Sequence, residues 1–243
     1  MLAGVSTEWY TRLEKGHIAG VSDEVLDAVA GALQLDEAEH AYLFDLARAA
    51  RPVRRAARRR KPVDVPDPVQ WMIDSMQGSA AIVANGRLDI LAANDLGRAL
   101  YSPLYTGEPE PPNIARYQFL DRTAEDYYVD WDAAADVTAA LLRTEAGRDP
   151  HNLELRDLIG ELSTLSAEFR TRWATHNVRL HHAGAKEFNH PDVGRMELAY
   201  HTMDISPRRD RALVTTIYTA EPGTDSEDRF KLLASWAATH TPA

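Results

Sequence analysis

Six polar side chains near the start of the chain have the types and spacing to meet a polyanion. Ser6, Thr7, Glu8, Thr11, Arg12 and Lys15 fall on the outward side of a helix whose inward side carries Tyr10 and Leu13. Arg12 presents a planar fork of donors that matches two acceptors on a guanine edge, while Ser6, Thr7 and Thr11 suit phosphates or base edges. Glu8 is the awkward member, either accepting from cytosine or serving only as a first-turn carboxylate. Before this helix, Gly4 permits a sharp turn, Val5 plugs a core and Ser6 supplies an N-cap. The competing reading is an ordinary amphipathic helix in a small bundle.

Other clusters are weaker. Arg51, Arg54, Arg55, Arg58, Arg59, Arg60 and Lys61 crowd one short segment, which reads as phosphate contacts or as a solvated linker. His176, His181, His182, His190 and His201 invite a metal reading. However, His181 and His182 are adjacent and would point to opposite faces of a strand, so structural or solvent-facing histidines are expected. Asp121, Glu125, Asp126, Asp130, Asp132 and Asp136 lack a partnering motif and read as a solvated face rather than as paired carboxylates for acid–base work. There is no GxSxG, P-loop, dinucleotide GxGxxG or HExxH, so neither an enzyme nor a cofactor is expected.

These residues need elements to hold them. Capping and periodicity predict three helices in the first fifty residues: Ser6 capping 7–15 with Gly16 as the stop, Ser22 capping the second, and Asp36 with Glu39 forming a capping box for the third. Pro62, Pro66 and Pro68 then interrupt regular helix. The expected organisation is an α-helical head at 1–50, a basic Pro-containing linker at 51–68 and a second domain at 69–243. In the second domain a helix is expected at 69–77, followed by strands at 80–84 and 88–92 around Asn85-Gly86, a local hairpin signal. Helices are expected at 95–101, 133–145 and 152–173, strands at 178–182, 186–190, 195–204 and 212–219, and a last helix at 226–238. In 195–204, Met196, Leu198 and Tyr200 alternate with Glu197, Ala199 and His201. The class is α+β with an antiparallel sheet.

The 243 residues carry a net charge of −10, unevenly spread. Residues 1–62 hold 10 Lys+Arg against 9 Asp+Glu, leaving the acidic excess to the rest of the chain. An acidic body with a locally basic head is compatible with nucleic-acid contact through the head alone. No apolar run approaches a membrane span, and the N-terminus lacks the plan of a signal peptide. The absence of cysteine excludes disulfides and thiolate chemistry and fits a cytoplasmic protein.

The stretch LAGVSTEWYTRLEKG…VSDEVLDAVAGALQLDEAEHAYLFDLA resembles the XRE-like (lambda-repressor-like) helix-turn-helix family. The resemblance continues through NGRLDILAANDLGRALYSPLY, AGRDPHNLELRDLIGELSTLSAEFRTRWATHNVR and VTTIYTAEPGTDSEDRFKLLASWAA, which look like the actinobacterial branch carrying a MmyB-like, PAS-like ligand-binding domain. It implies a transcription regulator that binds double-stranded DNA as a homodimer, with Ser6, Thr7, Glu8, Thr11, Arg12 and Lys15 as the DNA-contacting set. It also implies a cavity for a small apolar, fatty-acid-like ligand. Trp71, Ile82, Leu91, Phe119, Tyr128, Trp131, Leu162, Phe169 and Trp173 are the candidate pocket residues, and Arg116, Arg122, His181 and His182 the candidates to meet a carboxylate. The expected cavity lies between the strands near 81–91 and 213–218 and the helix containing Leu162, Phe169 and Trp173. One departure matters. The family's DNA-binding fold has five helices, and helix one and most of helix two are missing before Met1. A misassigned start, a shortened chain and a lost head remain open, and the alternative function is a ligand-binding or dimerising module without DNA binding.

Overall fold

The computed structural model describes residues 6–17, 20–50, 64–106, 110–175, 182–206 and 212–240. Five strands, β1 (Ala80–Asn85), β2 (Ile90–Ala93), β3 (Ala183–His190), β4 (Gly194–Asp204) and β5 (Leu213–Thr219), pair into an antiparallel sheet in the order β2-β1-β5-β4-β3, with β1 buried on both faces. In β4, Met196, Leu198 and Tyr200 are buried and Glu197, Ala199 and His201 exposed, the alternation expected from the sequence. The register pairs Ile82 with Thr216, Thr216 with Thr202, and Leu198 with Lys186, which puts all five side chains on one face. On the opposite face, Ala81, Val83, Ala92 and Leu213 pack against Ile73 of α4 (Asp67–Asp74).

In the N-terminal part, α1 (Thr7–Glu14) starts where Ser6 Oγ accepts the Trp9 amide at 3.2 Å. Ser22 precedes α2 (Asp23–Leu33) without a side-chain capping bond. The capping box before α3 (Glu37–Ala49) is complete: Asp36 accepts the Glu39 amide at 2.9 Å and Glu39 accepts the Asp36 amide at 3.0 Å. Residues 51–63 of the expected linker lie outside the described residues. Pro68 does not stop a helix as expected but sits in the first turn of α4, where its missing N–H would have no intrahelical partner anyway.

The helices of the larger part are α5 (Asp95–Leu100), α6 (Ile114–Leu120), α7 (Thr123–Tyr127), α8 (Trp131–Arg148), α9 (Leu153–Leu165), α10 (Ala167–Ala174) and α11 (Asp225–His240). Helices α6 and α7 were not anticipated. The single helix expected over 152–173 is two: Ser166 adopts an extended conformation, and its Oγ accepts the Phe169 amide at 3.1 Å, restarting the chain as α10. The hairpin connection also differs from a tight Asn-Gly turn. Leu88 takes the positive φ of 66°, and Asn85 Oδ1 accepts from the amides of Arg87 and Asp89. Of the strand expected at 178–182, only His182 is described, and it lies outside any strand.

Two cores result. Tyr101, Phe188, Leu198, Tyr218 and Leu233 join the sheet to α5, α7 and α11. Ala115, Leu142, Leu158, Leu162 and Phe169 form a second, all-helical core among α6, α8, α9 and α10. Buried Asn94 ties α4, β1 and α5 together. Its Oδ1 accepts from Ala81 at 2.9 Å and Gly97 at 2.8 Å, and its Nδ2 donates to Ile73 at 3.2 Å and Ser79 at 2.9 Å.

Candidate functional site

Helix α8 faces the sheet across an open space. Val137, Leu141, Thr144, Glu145 and Arg148 recur at helical spacing and share one face, and a cleft of about 260 Å³ separates them from Ile82, Val214, Thr216 and Lys186. Leu88 and Ile114 add apolar wall, and Tyr218, whose hydroxyl lies 2.6 Å from that of Tyr101, borders it as well. A Cβ at Gly86 would overlap the end of the Glu145 side chain, which therefore rests directly on the β1–β2 connection. The Glu145–Arg148 pair, 2.7 Å apart, is the ion pair of this lining.

Lys186 is the residue that the sequence reading missed. It alternates with outward Ala185 and Glu187 and therefore stands on the same face as buried Phe188. Its ammonium lies 5.2 Å from the Tyr128 ring centre and 6.0 Å from that of Phe188. Among the described residues, none forms an ion pair or hydrogen bond with it. Protein surrounds it, although the cleft leaves part of its surface accessible, and this burial pushes its pKa from 10.5 down to about 8. A second cavity of about 310 Å³ adjoins the first, sharing Val137 and Lys186 and bordered by Tyr128, whose buried hydroxyl has no partner among the described residues. The available signal was a lysine on the apolar side of an alternating strand.

Of the nine candidate pocket residues, Ile82 lines the main cleft and Tyr128 the adjoining one. Trp71 is 66% exposed. Leu91 packs against the core on the α4 side of the sheet. Phe119, Trp131, Leu162, Phe169 and Trp173 belong to or pack against the all-helical core, so the helix above the cleft is α8 rather than the one containing Leu162, Phe169 and Trp173. The reason is pairing. Phe169 stacks on Trp173 at 5.4 Å and meets Phe119 at 5.1 Å, which satisfies these rings away from the sheet. Of the candidate carboxylate partners, Arg116 is held by Glu161 through Nε at 2.9 Å and Nη2 at 2.7 Å, Arg122 is exposed, His182 borders the cleft, and His181 lies outside the described residues.

The candidate DNA-contacting set is exposed throughout: Ser6, Thr7, Glu8, Thr11, Arg12 and Lys15. Ser6 spends its oxygen on the cap, and the Thr11 hydroxyl donates to the Thr7 carbonyl at 2.9 Å. Tyr10 and Leu13 are half-buried, and Gly4 and Val5 lie outside the described residues. No group of His, Asp or Glu among the described residues is arranged to hold a metal ion, and no described helix is long and apolar enough to cross a membrane.

A sheet, a helix laid over it and a cleft between them define a ligand-binding module. Residues 65–233 match the family of MmyB-like transcription regulator ligand binding domains, and with well over half of its length matched the chain belongs to that family. A search of curated proteins finds no match.

Proposed function

We propose that the protein is a cytoplasmic, homodimeric transcription regulator whose cleft binds a small apolar anion, a fatty-acid-like carboxylate, and whose N-terminal helices bind double-stranded DNA. Membership of a regulator ligand-binding family supports a ligand-sensing role. The observation that carries the ligand class is Lys186, a cation without a counter-ion among the described residues, beside a cleft walled by Ile82, Leu88, Ile114, Val137, Leu141 and Val214. An alkyl chain satisfies the walls and a carboxylate the ammonium. At about 260 Å³ the cleft sits just below the range of about 300–1,000 Å³ common for ligand pockets, which favours a medium chain over a long one. The exposed polar face of α1 supports the DNA reading.

The test is a thermal-shift titration with dodecanoate and dodecanol. Saturation to 100 times Kd adds about 2.7 kcal/mol of apparent stability. Dodecanoate is expected to bind at least about tenfold more tightly than the alcohol, through a charge-assisted bond of about 1.5–3 kcal/mol. Equal affinities, or no shift with either, refute the ligand class. A second reading, ligand binding without DNA binding, rests on the packing of α1, which buries none of its residues completely, and on Leu33, which is 49% exposed. Salt-dependent binding of duplex DNA decides between the two readings.

A further inference from the structure

Helix α8 has a second partner besides the cleft. Gly147, buried near its C-terminal end, receives Tyr42 of α3, and a Cβ at this position would overlap the tyrosine ring. At 100° per residue, the side of α8 bearing Gly147 is about a quarter-turn from the cleft face. In sequence the two are closer still, because Glu145 and Arg148 line the cleft on either side of Gly147. The third side of α8 is fixed. Ala135, Ala139 and Leu142 are buried in the helical core, and Arg143 places its guanidinium 4.3 Å from the Trp173 ring centre while donating to the Trp173 carbonyl. One short backbone segment, 145–148, therefore touches both the cleft and the N-terminal helices.

We propose that α8 is the lever by which occupancy of the cleft is passed to the N-terminal helices, through the seat of Tyr42 on Gly147. The inference rests on the cleft being the ligand site. A ligand that pushes on Leu141, Thr144 or Glu145 shifts or rotates the segment that seats Tyr42. With no room for a single methyl group at that contact, a small displacement forces the tyrosine either to follow or to leave. Packed contacts of this kind switch between arrangements rather than deform smoothly.

The experiment fills the cleft from α8 without using a ligand. Amide hydrogen exchange of α3 is measured in the full chain and in Leu141→Trp, with Thr144→Leu as a milder filler should the first variant fail to fold. Filling is expected to change α3 exchange by about fivefold or more, the usual scale of coupling between sites. In Gly147→Ala, α3 is expected to exchange faster at the outset and to lose its response to filling, and Tyr42→Ala is expected to do the same. Unchanged α3 exchange in a folded, filled variant overturns the lever, as does a full response in Gly147→Ala. Dodecanoate is tested separately by thermal shift. Its failure to bind removes the proposed ligand, while the filled-cleft variants still decide whether α8 transmits.

Discussion

Lys186→Met removes the charge from the cleft while keeping an unbranched side chain of similar reach. A fall in pKa from 10.5 to about 8 corresponds to about 3 kcal/mol of disfavoured charging in the folded state. Part of the side chain faces the cleft, where water screens it, so the net cost is roughly 1–2 kcal/mol. The sign follows from proton uptake. Below about pH 8 the lysine is charged in both states and the whole penalty is present. Between about 8 and 10.5 the unfolded chain binds more protons than the folded one, and stability rises with pH. The variant is therefore expected to be more stable than the parent at pH 7, by roughly 2–8 °C in Tm for a chain of this size. That difference should narrow as pH rises. The assay is urea or thermal unfolding followed by tryptophan fluorescence from about pH 7 to about pH 9.5, below the range where buried tyrosines intervene. Burial raises the pKa values of Tyr101, Tyr127 and Tyr128, so their contribution is held below the unfolded value near 10 and lost above it. In the same variant dodecanoate affinity should fall roughly tenfold to a hundredfold. A residue that costs stability and confers binding is expected of a ligand site. A variant that is less stable at pH 7, or whose advantage is the same at every pH, refutes the reasoning.

Three further outcomes follow from other residues. Burial lowers the pKa of His190 from 6.5, more than its bond to the Ala99 carbonyl and nearby Asp192 raise it, so stability should fall as pH drops below about 6.5, and His190→Gln should flatten that fall in acid unfolding curves. Asn94→Ala strands the amides of Ala81 and Gly97 and removes a helix cap, and should cost about 2–4 kcal/mol by urea unfolding; a loss within about 0.5 kcal/mol would contradict the role given to this side chain. If α1 reads DNA, Arg12→Ala should weaken binding to the native promoter by roughly 1–3 kcal/mol in fluorescence anisotropy, and equal binding by mutant and parent rejects that assignment.

Local chemistry alone determines much of this protein. Ser6, the Asp36–Glu39 box and Asn152 start helices through bonds three residues away, and the alternation in β4 assigns Met196, Leu198 and Tyr200 to the buried face, because caps and pleats act over a few residues. The acidic body and the exposed polar side of α1 are equally readable, since exposure of charge needs no partner. The cleft is different. Both α8 and the α9–α10 pair carry apolar faces, and periodicity does not say which of them meets the sheet. The choice follows from the aromatic cluster of Phe119, Phe169 and Trp173, which joins residues up to 54 positions apart and draws α9 and α10 into a core of their own. Lys186 acquires its character only when the bridge between Tyr128 and Phe188 brings the Tyr128 ring near its ammonium, and Gly147 only when Tyr42, more than a hundred residues earlier, arrives on it. Pockets and contacts between distant elements depend on long-range packing, which no local pattern encodes.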